Sequence, residues 1–113
     1  MTEPRLYTIG EVCELFDLEP HVLRYWETQI PQLRPRKDAR GRRLYRPTDL
    51  DTIALLRRWV LEEGLTLTGA RRRLEGLAEA DRAATARPLL EAEILRNLRT
   101  ELEALRRLLT LPD

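Results

Sequence analysis

The sequence is poor in the side chains on which most enzymes and metal sites depend. Its 113 residues include no serine, one cysteine and one histidine. This composition excludes most nucleophile–base pairs, and neither Cys13 nor His21 stands in a cluster with the spacing of metal ligands. The five glycines are scattered, so there is no glycine-rich phosphate loop. The sequence therefore predicts neither an enzyme nor a protein that holds a metal or another cofactor.

Long apolar segments are lacking as well. The mean hydropathy is −0.46, and no apolar run reaches the length needed to span a bilayer. The N-terminal residues do not combine a basic start with an apolar run, so no signal peptide is predicted. One cysteine cannot form an internal disulfide and fits a reducing compartment. We therefore expect a cytoplasmic protein without a membrane partner.

Positive charge is concentrated in one short segment. The whole chain carries a formal net charge of +1, whereas residues 34–46 hold seven basic residues against one aspartate, a net charge of +6. A local surplus of this kind is typical of a surface that binds a polyanion such as nucleic acid. A solvated loop can also carry such a run.

Two short helices are predicted near the N-terminus. Thr8 and Glu11 have the spacing of a capping box, which starts the first helix. Apolar side chains follow at helical spacing as far as Phe16, and they include Cys13, which we expect to fill space in the core. After a break, Pro20 suits the first position of a second helix. Two short helices joined by a tight turn predict a helix-turn-helix.

The second helix has one apolar and one polar face. Leu23 and Trp26 lie three residues apart and can face inward, so His21, Arg24 and Tyr25 can point outward together. In a helix-turn-helix this second helix reads DNA. Alternative roles are a surface salt bridge for Arg24, a core position for Tyr25 and a solvated helix start for His21.

The basic segment is predicted to form a β-hairpin. Pro31 and Pro35 exclude a helix, and residues 33–36 and 42–45 can pair around a turn near residues 39–41. Such a hairpin is a wing that presents arginines to the phosphate backbone. Tyr45 at its end is interpreted as structural or functional with equal weight. The residues predicted to contact DNA are His21, Arg24, Tyr25, Arg36, Lys37, Arg40, Arg42, Arg43 and Tyr45.

The C-terminal half is predicted to be helical. A third helix starts at Pro47 and stops at Gly64, and a fourth, shorter helix follows. We predict a DNA-binding domain at 1–76, a connector at 77–87 that can itself be helical, and a dimerisation helix at 88–113. Leucines in the last segment recur at alternating spacings of three and four, the seam of a coiled coil. The predicted dimerisation residues are Leu95, Leu98, Leu102, Leu105 and Leu109. Packing of this helix onto its own domain is the alternative.

The order of these motifs resembles the DNA-binding domain of MerR-type transcriptional regulators, over about residues 6–76. RYWE at 24–27 stands where that family usually has RYYE, and GRRLY at 41–45 matches the return strand of its wing. EEGLTL at 62–67 is similar to the small heat-shock repressors of the family. Trp26 departs from the usual tyrosine, and Pro31 stands where glycine is common.

The resemblance implies a mainly α-helical fold, a winged helix-turn-helix with a small β-hairpin wing and a C-terminal dimerisation helix. It implies a homodimer, paired through antiparallel helices, that binds a palindromic operator and distorts it. It also implies RNA polymerase as a further partner and a nucleoid-associated location. No cysteine-bearing segment or extra domain follows the leucine repeat, so we expect a regulator without an inducer pocket.

Two other classes of function are open at this point. An architectural or excisionase-like factor would bend DNA without acting on transcription. A protein-interaction adaptor would use the leucine helix alone and would have no salt-dependent affinity for DNA.

Overall fold

The computed structural model describes residues 5–110, which form five α-helices and one small sheet. The outer ends of the predicted segments 1–76 and 88–113 lie outside the described residues. In chain order, the elements are strand β1 (Tyr7–Thr8), helices α1 (Ile9–Phe16) and α2 (Pro20–Gln29), strands β2 (Arg36–Lys37) and β3 (Arg43–Tyr45), and helices α3 (Pro47–Leu56), α4 (Leu67–Glu75) and α5 (Glu79–Leu109). A π-helical segment, Arg57–Glu62, continues α3.

Helices α1 and α2 form the predicted helix-turn-helix. The capping box at the start of α1 is confirmed: the Glu11 amide donates to Thr8 Oγ1 at 3.2 Å, and the Thr8 amide donates to Glu11 Oε1 at 3.0 Å. Helix α1 ends at Asp17, which adopts a left-handed conformation with φ of 55°. Cys13 is buried in the core, as predicted. The α1–α2 unit therefore forms from local signals and is held by the apolar side chains that it buries.

The sheet has three antiparallel strands in the order β1-β3-β2. Strands β2 and β3 form the predicted wing, with Arg36 opposite Leu44. Strand β1 pairs with the other edge of β3, which the sequence did not predict. The first wing strand starts later than predicted because Leu33 is buried in the core and its amide bonds the Ile30 carbonyl in a turn.

Helix α3 and its π-helical extension lie at the centre of the core. The side chains of Ile53, Leu55 and Leu56 are fully buried, so α3 is apolar on more than one side, as predicted. The extension ends before Gly64, whose φ is +77°. Helix α4 packs on this region through Ala70 and Leu74.

Helix α5 is one continuous helix that begins at Glu79 and so includes most of the predicted connector 77–87, for which a helical conformation was left open. Pro88 lies inside α5 at an exposed position, and Ala86, two residues earlier, is fully buried. The burial of this first part against α3 explains why the helix continues through a residue that usually ends one. The outer part of α5 extends beyond the core.

Candidate nucleic-acid interface

One face of α2 is free of contacts with the core. Leu23 and Trp26 are buried, with exposed fractions of 0% and 3%, while His21, Arg24 and Tyr25 are exposed. Tyr25 is 59% exposed, so the alternative of a core position for it is excluded. The burial of one stripe therefore presents the three predicted side chains on the opposite side.

The tip of the wing is a tight turn organised by Asp38. Its Oδ1 accepts the backbone amides of Arg40 and Arg42, both at 2.9 Å, and its Oδ2 accepts Arg42 Nε at 2.8 Å. These hydrogen bonds, first of all the one from the Arg42 backbone, lower the pKa of Asp38 below its ordinary value. Gly41 has φ of +80°, which favours glycine because a side chain there would be strained. The turn thus connects the two strands and leaves basic side chains exposed to solvent.

The predicted wing residues differ in exposure. Arg36, Lys37, Arg40 and Arg42 are exposed, as a surface that contacts phosphate requires. The Arg43 side chain is 35% exposed, and its Nε lies 2.9 Å from Glu27 Oε2 in α2. Arg43 therefore joins the wing to α2 and is also partly exposed to solvent.

The structure corrects the prediction that Tyr45 contacts DNA. The sequence counted it among the residues that contact DNA, but its side chain is 0% exposed, and its hydroxyl donates to Glu27 Oε1 at 3.3 Å. Burial and the neighbouring Glu27 carboxylate raise the pKa of Tyr45. Burial also raises the pKa of Glu27, against the opposing effect of Arg43. Tyr45 and Glu27 thus form a shielded contact between β3 and α2 behind the candidate interface.

Asp49 is a supporting residue that the sequence interpretation missed. Its carboxylate is fully buried and accepts the Arg46 amide at 2.9 Å, Arg46 Nε at 3.2 Å and the Arg34 amide at 3.4 Å. Arg46 also donates to the Arg34 carbonyl at 3.3 Å, so the two bases of the wing are joined. This role could not be read from local sequence because Asp49 and Arg34 are fifteen residues apart.

Helix α2 and the wing share a groove. A cavity of about 280 Å³ is lined by Arg24 from α2, by Arg42 and Arg43 from the wing, and by Thr8 and Ile9 at the start of α1. The structure thus brings three of the predicted DNA-contact residues together. Thr8 and Ile9 were not predicted to lie there, although the capping box placed them at a helix N-terminus, where backbone amides favour anions.

The predicted dimerisation leucines are exposed. Together with neighbouring apolar side chains they line the outer part of α5, each at least half exposed. These residues are Ile94, Leu95, Leu98, Leu102, Leu105, Leu108 and Leu109. Folding back onto the chain's own domain therefore does not account for them.

Other kinds of site find little support in the described part of the chain. Within residues 5–110, no group of three or more histidine, cysteine, aspartate or glutamate side chains has an arrangement that could hold a metal ion. No helix among the same residues combines the length and apolar character that crossing a membrane requires.

Comparison with known proteins identifies relatives of the helix-turn-helix region. A family profile described as MerR HTH family regulatory protein matches residues 7–77. The HTH-type transcriptional regulator MlrA of Escherichia coli (strain K12) is 42% identical over 55 residues, which are 49% of this chain and 23% of that protein. MlrA of Salmonella typhimurium (strain LT2) matches to the same extent. The chain thus spans about a quarter of the length of these curated relatives.

A solved structure has the same fold. It is the crystal structure of HiNmlR, described as a MerR family regulator lacking the sensor domain, bound to promoter DNA. The TM-score is 0.54 at 21% sequence identity, and the match covers 93% of this chain and 82% of the other. The winged helix-turn-helix fold predicted from the sequence is confirmed.

Proposed function

The chain belongs to the MerR family of helix-turn-helix regulatory proteins, and from this membership we propose that it is a transcriptional regulator that binds double-stranded DNA. The curated relatives are named transcriptional regulators, and the structural neighbour is described as bound to promoter DNA. We assign DNA binding in the present chain to the exposed surface of α2 and the wing.

The observation that carries the proposal is the groove shared by α2 and the wing. Arg24 lines it from α2, and Arg42 and Arg43 line it from the wing. One side chain can therefore reach base edges while its neighbours reach phosphates. Phosphate contacts supply register and affinity, and base contacts supply specificity. In this proposal α2 enters the major groove with His21, Arg24 and Tyr25, and the wing follows the backbone.

We further propose that the protein binds as a homodimer through the outer part of α5. A row of half-exposed leucines is unfavourable in water and is buried when two such helices pair. Antiparallel pairing would relate two copies by a twofold axis, so the two reading helices would address a palindromic operator. Distortion of that operator, which changes how RNA polymerase engages the promoter, is the proposed regulatory step.

The first experiment tests DNA binding and its specificity. Genomic fragments that bind the purified protein are selected, and the affinity for the selected site is measured by fluorescence anisotropy at several salt concentrations. A binder that makes several phosphate contacts weakens steeply, by roughly 10³-fold or more between about 50 and 200 mM salt. An affinity that does not depend on salt would refute the proposal. Selected fragments far from promoters would instead indicate an architectural factor.

The second part of this experiment concerns sequence reading. Arg24→Ala should reduce the preference for the selected site over other sequences, because a base contact carries roughly 1–3 kcal/mol of discrimination. Arg87→Ala is the matched control, since Arg87 is exposed on α5 outside both the wing and the leucine repeat. Equal effects of the two variants would remove Arg24 from the reading face.

The third experiment tests the homodimer. Leu102→Glu combined with Leu105→Glu should convert the protein to a monomer, measured by light scattering coupled to size exclusion, and should weaken binding to a palindrome. Leu61→Glu is the control, because Leu61 is similarly exposed, at 54%, but lies outside α5. A wild-type monomer, or a dimer that survives the double substitution, would exclude pairing through this face.

A further inference from the structure

The C-terminal end of α1 is held by side chains from distant parts of the chain. The last four carbonyls of a helix have no partners within it. Here the first of them, on Cys13, accepts the Leu18 amide at 3.0 Å in the turn that follows α1. The next three accept side-chain donors. They are Asn97 Nδ2 to the Glu14 carbonyl at 3.1 Å, Arg96 Nη2 to the Leu15 carbonyl at 3.0 Å, and Arg57 Nε to the Phe16 carbonyl at 2.6 Å.

The Glu93 carboxylate contacts both of the arginines among these donors. Glu93 in α5 lies 3.0 Å from Arg57 Nη1 and 2.8 Å from Arg96 Nη2. The side chains of Glu93 and Arg57 are only 13% and 17% exposed, so this contact is shielded from solvent. We call Arg57, Glu93, Arg96 and Asn97 the clasp.

The clasp joins two parts of the protein that have different tasks. Two positively charged guanidinium groups lie at the negative end of the α1 dipole, which favours them. Three residues, 17–19, separate this end from α2, so a fixed α1 terminus also fixes the start of the reading helix. On α5, the clasp residues Arg96 and Asn97 lie between Leu95 and Leu98 of the exposed leucine row.

We propose that the clasp sets the angle between α5 and the helix-turn-helix, and thereby the separation of the two reading helices across the dimer. Its members are positioning residues that do not touch DNA. This inference rests on the proposed dimeric DNA binder. A rigid dimer accepts one spacing of half-sites, because each added base pair both moves and rotates the second site. A loosened clasp would let the protein accept several spacings.

The test compares half-site spacings. Wild-type protein, Glu93→Gln, Asn97→Ala and the combined variant are titrated with palindromes whose central spacer is shortened or lengthened by one or two base pairs. We expect the wild type to lose roughly tenfold or more at a wrong spacing. The combined variant should lose roughly threefold or less, while its affinity for an isolated half-site stays at the wild-type level. Glu91→Gln is the control, since Glu91 is exposed on the same helix.

A measurement without DNA separates this inference from the proposed function. Amide hydrogen exchange should accelerate in the turn at 17–19 and at Val22 and Leu23, which bond to the Glu19 carbonyl, in Glu93→Gln but not in Glu91→Gln. If the wild type binds no duplex, the proposed function fails, and exchange alone decides whether the clasp holds α1 and α2. Asn97 is exposed in part, so Asn97→Ala provides a milder variant if Glu93→Gln folds poorly.

Three results would overturn the inference. The first is an unchanged spacing preference in the combined variant. The second is a uniform loss of affinity at every spacing, which would show that the clasp serves folding only. Unchanged exchange at the α1–α2 turn would equally contradict it.

Discussion

Arg42 and Arg43 are adjacent in the wing, yet the structure predicts different consequences for their removal. The Arg42 side chain is 68% exposed and pairs with Asp38 at the tip of the wing. The Arg43 side chain is 35% exposed and pairs with Glu27, which is only 10% exposed. Arg42→Ala should therefore change DNA binding with little effect on stability, whereas Arg43→Ala should also lower stability.

The magnitudes follow from these environments. Arg42→Ala should alter the free energy of unfolding by no more than about 0.5 kcal/mol, because it changes an exposed position. Loss of one phosphate contact should reduce the slope of log affinity against log salt by about 0.9. Arg43→Ala leaves the shielded Glu27 carboxylate without its charged partner, which costs about 1–2 kcal/mol and lowers Tm by roughly 5–15 °C.

The pH dependence adds a second signature. Burial raises the pKa of Glu27 above its ordinary value of 4.5, and loss of Arg43 should raise it further. A carboxyl with a raised folded pKa binds its proton more tightly when folded, so stability falls as pH rises through that pKa. The deficit of Arg43→Ala should therefore be present at neutral pH and shrink as pH falls toward 4.5.

Urea denaturation followed by circular dichroism measures stability, and anisotropy measures the salt slope. The control is Glu27→Gln combined with Arg43→Ala, which should recover part of the lost stability because no unpaired charge remains. The reasoning fails if Arg43→Ala is as stable as the wild type, or if Arg42→Ala leaves the salt slope unchanged.

Three further predictions concern local structure. The backbone amide resonances of Arg40 and Arg42 should titrate with a midpoint below 3.8, the ordinary pKa of an aspartate. The contacts of these amides with Asp38 are present at higher pH and are lost as pH falls through the lowered pKa of Asp38. A midpoint at 3.8 or above would contradict this. Gly41→Ala should lower the free energy of unfolding by about 1 kcal/mol because of the positive φ, with Gly41→Asn less affected, and equal stability of both with the wild type would refute it. Pro88→Ala should raise the free energy of unfolding by about 1–3 kcal/mol in urea denaturation, because Pro88 lies exposed inside α5. No gain in stability would show that this position tolerates proline without cost.

Local sequence signals determined most of the secondary structure. The capping box of Thr8 and Glu11 and the proline at position 20 place the first two helices, because these signals act within one helical turn. The spacing of Leu23 and Trp26 also identified the exposed face of α2. The concentration of arginines between residues 34 and 46 indicated the wing, since charge density needs no tertiary information.

Local sequence signals could not predict the environment of residues whose contacts lie far away along the chain. Tyr45 was read as a possible contact residue, but it is fully buried in the core, and its hydroxyl bonds Glu27, eighteen residues away. The continuation of α5 through Pro88 could not be predicted from local signals, since the first part of α5, with the buried Ala86, packs against α3.

The sequence by itself determined the kind of protein: two short helices, a basic hairpin and a leucine-bearing helix, in an order that resembles one family. Only the tertiary structure decided which of the candidate side chains are exposed and which are buried beneath them. It brought Arg24 beside the wing, buried Asp49 between the two bases of that wing, and placed Asn97 against the end of α1. The physical reason is distance along the chain. Capping and helical periodicity act over three or four residues, whereas the Asn97 contact joins residues 83 positions apart and exists only once the core has formed.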